Sequence, residues 1–248
     1  MGIVNVTPDS FSDGGSFFDA KCAVGHAETL IHDGADIIDI GAQSTRPGYS
    51  EINPDEEWLR LEPVLSELRE KTDIPISVDT YFPSVAEKAL SAGADIINDV
   101  SGKITPEMAQ IIKNSSAGWV IMHSGEGSVN AVKDFFNSAA AQCVEYGIHK
   151  NQICFDMGIG FGKSYEQNLE LIVNVSEYKL KGYPLLLGAS RKRVIAQSSG
   201  QTEPKERIFG NIAADTAAIL GGVDIIRLHD VKNEKQGIKT AQELKRVR

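Results

Sequence analysis

The sequence predicts an α/β chain closed into a (β/α)8 TIM barrel, a single domain over residues 1–248. Three observations carry this. Eight short apolar runs alternate with helical stretches and the alternation never breaks. The repeat averages about 31 residues, the size of one right-handed βα unit. No Ser/Pro/Gly linker divides the chain. A doubly wound open sheet is the alternative, but no GxGxxG follows the first strand.

The first strand ends at Asn5, and the loop after it is heavily decorated: Pro8 bars a helix, and Phe11 sits among Asp9, Ser10, Ser12 and Asp13 before Gly14-Gly15. Such a loop reads as a binding loop at a strand exit, with a plain polar turn as the alternative. Ala20 to Asp33 has helical spacing and Gly34 closes it. Strand two, Asp36 to Gly41, opens into a second polar loop, GAQSTRPGYSEINPDEE, whose acidic run leads into a helix from about Glu56 to Lys71. Strand three is Ile74 to Asp79, followed by a helix from Pro83 to Ala92, and the junction after it repeats the Asp33-Gly34-Ala35-Asp36 pattern. Strand four, Ile96 to Val100, precedes a helix capped by Thr105 before Pro106. Strand five ends at Met122 and His123, and Val132 to Tyr146 is helical. Strand six, Ile153 to Phe155, ends at Asp156 in the loop DMGIGFGKS, and a helix from about Gln167 to Lys179 follows. Strand seven, Pro184 to Gly188, leads to ASRKR. Glu203 to Leu220 is a long helix, Asp224 to Leu228 is strand eight, and Lys235 to Arg246 is the last helix.

At 248 residues, 42% hydrophobic and 24% charged, the chain can bury a substantial core and is not compositionally disordered. Its net charge of −9 argues against broad readout of nucleic-acid phosphates, so an anionic ligand needs a local cluster of cations. Cys22, Cys143 and Cys154 form no CxxC pair and read as reduced structural thiols. No signal peptide and no apolar run near the roughly 20 residues of a membrane span is visible, which predicts a cytoplasmic protein with no membrane partner.

The polar residues fall where the strands end. Asn5, Asp39, Asp79, Asn98, His123, Asp156, the Ser190-Arg191-Lys192 group, and Arg227 with His229 all converge on one face of such a barrel, the face that carries active sites. Asp39 and Asp99 have an alternative reading as buried partners of loop amides, and Asp36, Asp95 and Asp224 sit at strand entrances, where a structural role is expected. Asp79, Asp156 and Asn98 offer acceptors and a mixed donor and acceptor to a flat heterocycle with an amidine-like edge. Lys192 reaches a ring carbonyl or ring nitrogen, and Arg227 stacks on the ring or binds an anion. Arg46, Arg227 and His229 form the cation cluster that a phosphate requires. Metal ligation by His123 and His229 competes with this reading, but no HxH or HExxH spacing supports it, and Mg2+ held by Asn5 and phosphate oxygens is favoured.

Eight ordered motifs, NVTPDSFSDGG (Asn5 to Gly15), DIGAQSTRPG (Asp39 to Gly48), SVDT (Ser77 to Thr80), INDVSG (Ile97 to Gly102), Met122-His123, DMGIGFGK (Asp156 to Lys163), GASRK (Gly188 to Lys192) and RLHDV (Arg227 to Val231), resemble those of the dihydropteroate synthases. The resemblance implies a transferase of folate biosynthesis that condenses 6-hydroxymethyl-7,8-dihydropterin diphosphate with 4-aminobenzoate. It implies that Asp79, Asn98, Asp156 and Lys192 hold the pterin, with Met122 and Phe161 lining the pocket and Arg227 stacked over it. It assigns diphosphate to Asn5, Arg46, Arg227 and His229, Mg2+ to Asn5, and aminobenzoate to Phe11, Thr45, Pro47 and Ser190. Asp79, Lys192, Arg227 and Asn5 are the implied catalytic set. A sulfonamide-sensitive homodimer through the later helices is also implied. A methyltransferase acting on methyl-tetrahydrofolate and a non-catalytic pterin-binding barrel are the alternatives.

The sequence departs from the family pattern in three places. Met157-Gly158 stands where proline-glycine is usual, a change expected to loosen the turn while leaving Asp156 in place. Ala42-Gln43 stands where glycine-glutamate is usual, removing one charge near the diphosphate loop. The sequence starts at strand one, so the N-terminal hairpin usual in the family is expected to be lacking, with its cost falling on stability and not on chemistry.

Overall fold

The computed structural model describes residues 1–6, 15–43 and 52–247. In chain order the elements are β1 (Gly2–Asn5), α1 (Gly15–His32), β2 (Ile38–Gly41), α2 (Pro54–Lys71), β3 (Ile76–Asp79), α3 (Pro83–Ser91), β4 (Ile96–Asp99), α4 (Pro106–Lys113), β5 (Gly118–Met122), α5 (Val129–Tyr146), β6 (Ile153–Asp156), α6 (Tyr165–Val173), α7 (Val175–Tyr178), β7 (Leu185–Leu187), α8 (Arg193–Ser199), α9 (Ile208–Gly221), β8 (Ile225–Ile226) and α10 (Val231–Arg246). The strands pair in parallel, each with its sequence neighbour, from β1 to β8. Closure comes from a parallel bridge between Gly2 and Leu228. There the Ile3 N–H donates to the Leu228 carbonyl and the Leu228 N–H to the Met1 carbonyl, both at 3.0 Å. The expected barrel is therefore present.

Alternation along each strand sorts the side chains into two environments. Val4, Ile40, Val78, Ile97, Trp119 and Phe155 point outward and merge with the apolar faces of the helices in one large core. Burying a side chain such as Phe155 contributes about 1.5–3 kcal/mol. Met1, Val120, Cys154 and Leu186 point inward and form a separate small cluster that fills the barrel's interior. One step further along the same strands the inward positions become polar, at Asp39, Asp79, Asn98 and Asp156. The apolar plug below makes those polar groups the floor of an open mouth.

The helix boundaries follow their caps. Asn53 accepts the Glu56 N–H at 2.9 Å and starts α2, and Thr105 accepts the Met108 N–H at 3.3 Å and starts α4 as expected. Ser128 and Asp230 cap α5 and α10, accepting the N–H groups of Ala131 and Asn233, so both helices begin three to four residues earlier than their apolar spacing suggests. The two similar junctions are alike in three dimensions. Gly34 and Gly93 have φ of 99° and 100°, and behind them Ala35 and Ala94 donate back to the Leu30 and Ala89 carbonyls.

Two helical expectations are corrected. The stretch Gln167 to Lys179 breaks at Asn174 into α6 and α7, and the stretch Glu203 to Leu220 begins as a 3-10 turn, Pro204–Arg207, before α9. The seven-residue α8 was not expected. Only Val194 and Ile195 of it are buried, too few for a readable period. At the strand entrances Asp95 accepts the Ile76 N–H and Asp224 the Leu185 N–H, both at 2.8 Å, which is the structural role expected of them. The cysteines are free thiols, and burial pushes that of Cys143 up to about 12. Among the described residues no helix is long and apolar enough to cross a membrane.

Candidate active site

Arg227, just past β8, reaches across the mouth to β2 and β3. Its Nε and Nη2 both lie 2.6 Å from Asp39 Oδ2, and Nη2 lies 2.8 Å from Asp79 Oδ2. Two carboxylates share one guanidinium, so a negative charge is left over. Burial pushes the Asp79 carboxyl up against the pull of Arg227, and Asp39 alongside adds to the rise. Burial works against the Arg227 charge as well, yet Asp39 and Asp79 hold it above its usual range. Asn98 donates Nδ2 to Asp39 Oδ2 at 3.2 Å. The remaining oxygens, Asp39 Oδ1 and Asn98 Oδ1, are buried without a hydrogen-bond partner among the described residues. An orphaned buried acceptor costs about 1–3 kcal/mol, and a mouth that keeps two of them is built to receive N–H donors.

These contacts settle the open readings of Asp39 and Asp99. Asp39 is held by side chains of the site and not by a loop amide. Asp99 does take the loop role: its Oδ1 accepts the Ser101 N–H at 2.9 Å.

The opposite wall comes from β5, β6 and the corner after β7. Met122 and Asp156 are register partners, both buried. Asp156 Oδ1 accepts the Gly158 N–H at 2.8 Å, and burial raises its carboxyl while Lys192 opposes the rise. Lys192 Nζ donates to the Ile159 carbonyl at 2.5 Å and lies 4.2 Å from the centre of the Phe161 ring. Burial brings its ammonium down to about 8, with Asp156 opposing. Lys163, also lowered to about 8 by burial, donates to the carbonyls of His123 and Phe161. His123 packs its ring edge-on against Phe135 at 5.1 Å, and burial, helped by Lys163, holds it down to about 4, so it is neutral at pH 7. Among the described residues no group of three His, Cys, Asp or Glu side chains is placed to hold a metal.

The turn after β6 is tight. Gly158 has φ of 63°, and a Cβ there would lie 1.9 Å from the His123 carbonyl oxygen. Gly158→Ala is expected to cost ~3 kcal/mol or more, read as a lowered urea midpoint, because neither φ nor the backbone neighbour can relax. Met157 is fully buried with its sulfur 3.2 Å from the Tyr178 hydroxyl, and the turn is closed by the Gly158 N–H and by the His123 N–H on the Asp156 carbonyl.

Ser190 Oγ accepts the His229 N–H at 3.3 Å and lies 3.1 Å from His229 Nδ1, joining the β7 and β8 exits. Asn5 is half-buried at the β1 exit, opposite Gly41 in register, and its carboxamide makes no hydrogen bond to a described residue. Phe11, Thr45, Arg46 and Pro47 lie outside the described residues.

A supporting contact on α2 was not legible beforehand. Glu57 is buried and accepts the Thr80 hydroxyl at 2.6 Å, and Thr80 in turn accepts the Phe82 N–H, which fixes the chain right after Asp79. Its only sequence signal was an acidic run at a helix start. Burial raises Glu57 to about 7, against the Thr80 bond. The folded state thus keeps a proton that the unfolded state releases above about 4.5, so this group's contribution to stability falls as pH rises from about 4.5 to 7. Glu57→Gln keeps the acceptor without the charge. It is expected to flatten that decline by ~2 kcal/mol between pH 5 and 8, measured by urea unfolding at both pH values. Beside it, Gln43 donates to the Tyr81 hydroxyl at 2.8 Å, linking the β2 and β3 exits without the usual glutamate charge.

A family model described as "Pterin binding enzyme" matches residues 1–229. The dihydropteroate synthase of Synechocystis sp. is 42% identical over 257 residues, covering 98% of this chain and 89% of that protein. The chain belongs to the dihydropteroate synthase family. Solved structures of dihydropteroate synthases superpose on it closely. The one from Clostridium difficile, in the presence of pteroic acid, has a TM-score of 0.94 at 44% identity, covering 98% of this chain and 95% of that one. The one from Xanthomonas albilineans, in complex with 7,8-dihydropteroate, has a TM-score of 0.91 at 35% identity, covering 98% and 92%. The pterin-binding match ends at His229, so every strand exit described above falls inside the matched stretch.

Proposed function

We propose that the protein joins 6-hydroxymethyl-7,8-dihydropterin diphosphate to 4-aminobenzoate, giving 7,8-dihydropteroate and diphosphate for folate biosynthesis. The observation that carries this reading is the acceptor-rich mouth. Asp156, Asp79 and the partnerless Asn98 Oδ1 offer acceptors to the amino and ring N–H groups of a pterin, and Lys192 offers a donor to its carbonyl or ring nitrogen. Met122 and Phe161 supply apolar contact, and Arg227 covers the ring as a planar cation. Asn5, Arg46, Arg227 and His229 take the diphosphate. Phe11, Thr45, Pro47 and Ser190 take the aminobenzoate.

The chemistry follows from charge placement. The bond between the pterin CH2 and the diphosphate oxygen breaks, and its electron pair leaves with the diphosphate. The positive charge left on CH2 spreads into the pterin, where Asp79, Asp39 and Asp156 favour it electrostatically. The aniline nitrogen then forms the new C–N bond and releases its proton to solvent. Water that would otherwise capture the cation has to be kept out of the site. Among the catalytic set, Asn5 and Arg227 act on the leaving group, Asp79 and Lys192 on the ring.

Mg2+ fits this arrangement. It prefers hard oxygen ligands and keeps several from water and phosphate, and the Asn5 carboxamide is one such oxygen with no described partner. When bound it supplies positive charge to the departing diphosphate. The reading extends to a single barrel domain over residues 1–248, a cytoplasmic location, a homodimer, and inhibition by sulfonamides that compete with aminobenzoate. The test is diphosphate release with both substrates and Mg2+ present. Release that requires aminobenzoate supports the reading. Tight pterin binding without release would move the assignment to a non-catalytic pterin-binding barrel.

A further inference from the structure

Behind the barrel wall, where α9 packs on α10, Asp215 and Glu234 are both buried, and burial raises both carboxyls. Asp215 Oδ2 and Glu234 Oε2 have no hydrogen-bond partner among the described residues. Two carboxyl groups so placed hold one proton between them, since burial disfavours a second charge. The charges that act on this pair are Asp230 and Arg191 on Glu234 and the Met1 amino group on Asp215. One turn before Asp215 on α9, the buried Asn211 donates Nδ2 to Glu234 Oε1 at 3.4 Å. That bond decides which end of the carboxamide points the other way, and Oδ1 accepts the Arg191 N–H at 3.3 Å.

Arg191 matters because its backbone is strained. It is the non-glycine residue with positive φ among the described residues, at 62°, and Arg207 Nη1 holds its carbonyl at 2.5 Å. This corner sends its two neighbours opposite ways: Ser190 to His229 at the β8 exit, and Lys192 to the Ile159 carbonyl beyond β6. We propose that Asn211, oriented by the Asp215–Glu234 carboxyl pair, is a positioning residue that locks the Arg191 corner and thereby places Ser190 and Lys192 in the site.

The activity readout rests on the transferase reading above, so the test includes one that does not. In Asn211→Ala, hydrogen exchange at the Arg191 amide is expected to accelerate at least about 10-fold. Its kcat is expected to fall about 10- to 100-fold, with a smaller change in KM, because a misplaced Lys192 affects the chemistry more than binding. Asn211→Asp keeps the acceptor for Arg191 but opposes Glu234 with a third carboxylate. Its activity is expected to rise as pH is lowered, when the new carboxyl gains a proton to donate, a profile absent from the parent. Asn211→Ala with parental exchange and parental kcat overturns the proposal. Should that variant fail to fold, a parental pH profile in Asn211→Asp overturns it instead. A parent enzyme that forms no product defeats the transferase reading and leaves the exchange result to decide this one.

Discussion

Lys192→Ala is expected to lower kcat by about 10³-fold while leaving the urea midpoint within experimental error of the parent. Lys192 carries a donor and a positive charge at the pterin pocket, held against the Ile159 carbonyl and the Phe161 ring. Removing one preorganised electrostatic contact of this kind costs about 10²–10³ in turnover. The fold survives because Lys192 contributes no packing to the apolar core. Its ammonium, lowered to about 8 by burial, loses its charge as pH rises through that value, so parental activity should fall on the alkaline side with a midpoint near there. Lys192→Arg keeps the charge at all accessible pH values and should move that limb upward, even if its overall rate is low.

Arg227→Met is expected to be the most damaging single change to stability in the site. Asp39 and Asp79 both lean on this guanidinium, and Asp39 is fully buried. Stripping the cation leaves uncompensated buried charge, at a cost of about 3–5 kcal/mol at pH 8. The loss has a direction in pH. Without Arg227 the Asp79 carboxyl, already raised by burial, rises further above its unfolded value, so the folded state binds more protons than the unfolded state and regains stability as pH falls toward 5. Urea midpoints at pH 5.5 and 8 measure this. Adding Asp79→Asn to Arg227→Met should recover part of the loss at pH 8, and a double variant no more stable than the single one would contradict the pairing.

The βα repeat made the site's location readable, because a strand of fixed hand and direction delivers each terminal residue to the same face. Asn5, Asp79, Asn98, Asp156 and Arg227 could therefore be grouped from their positions at the ends of apolar runs alone. Their pairings could not be read in the same way. Arg227 is 188 residues from Asp39, and only barrel closure makes them neighbours. Glu57, Asn211, Asp215 and Glu234 escaped notice for a related reason. Each sits on a helix whose polar residues look solvated until a second helix or loop covers them. The α8 turn and the break at Asn174 were missed because short segments carry too few apolar positions to define a period. Family motifs supplied what the residue pattern left open, the identity of the heterocycle and its leaving group.

In the proposed reaction this mouth makes a carbon–nitrogen bond at the pterin methylene. Incubation with dihydropterin diphosphate, Mg2+ and 15N-labelled 4-aminobenzoate, followed by mass spectrometry of the product, tests it directly. The expected product is 7,8-dihydropteroate carrying the 15N label in amounts equal to the diphosphate released. Diphosphate release accompanied only by the hydroxymethyl pterin, with no labelled product, would contradict it.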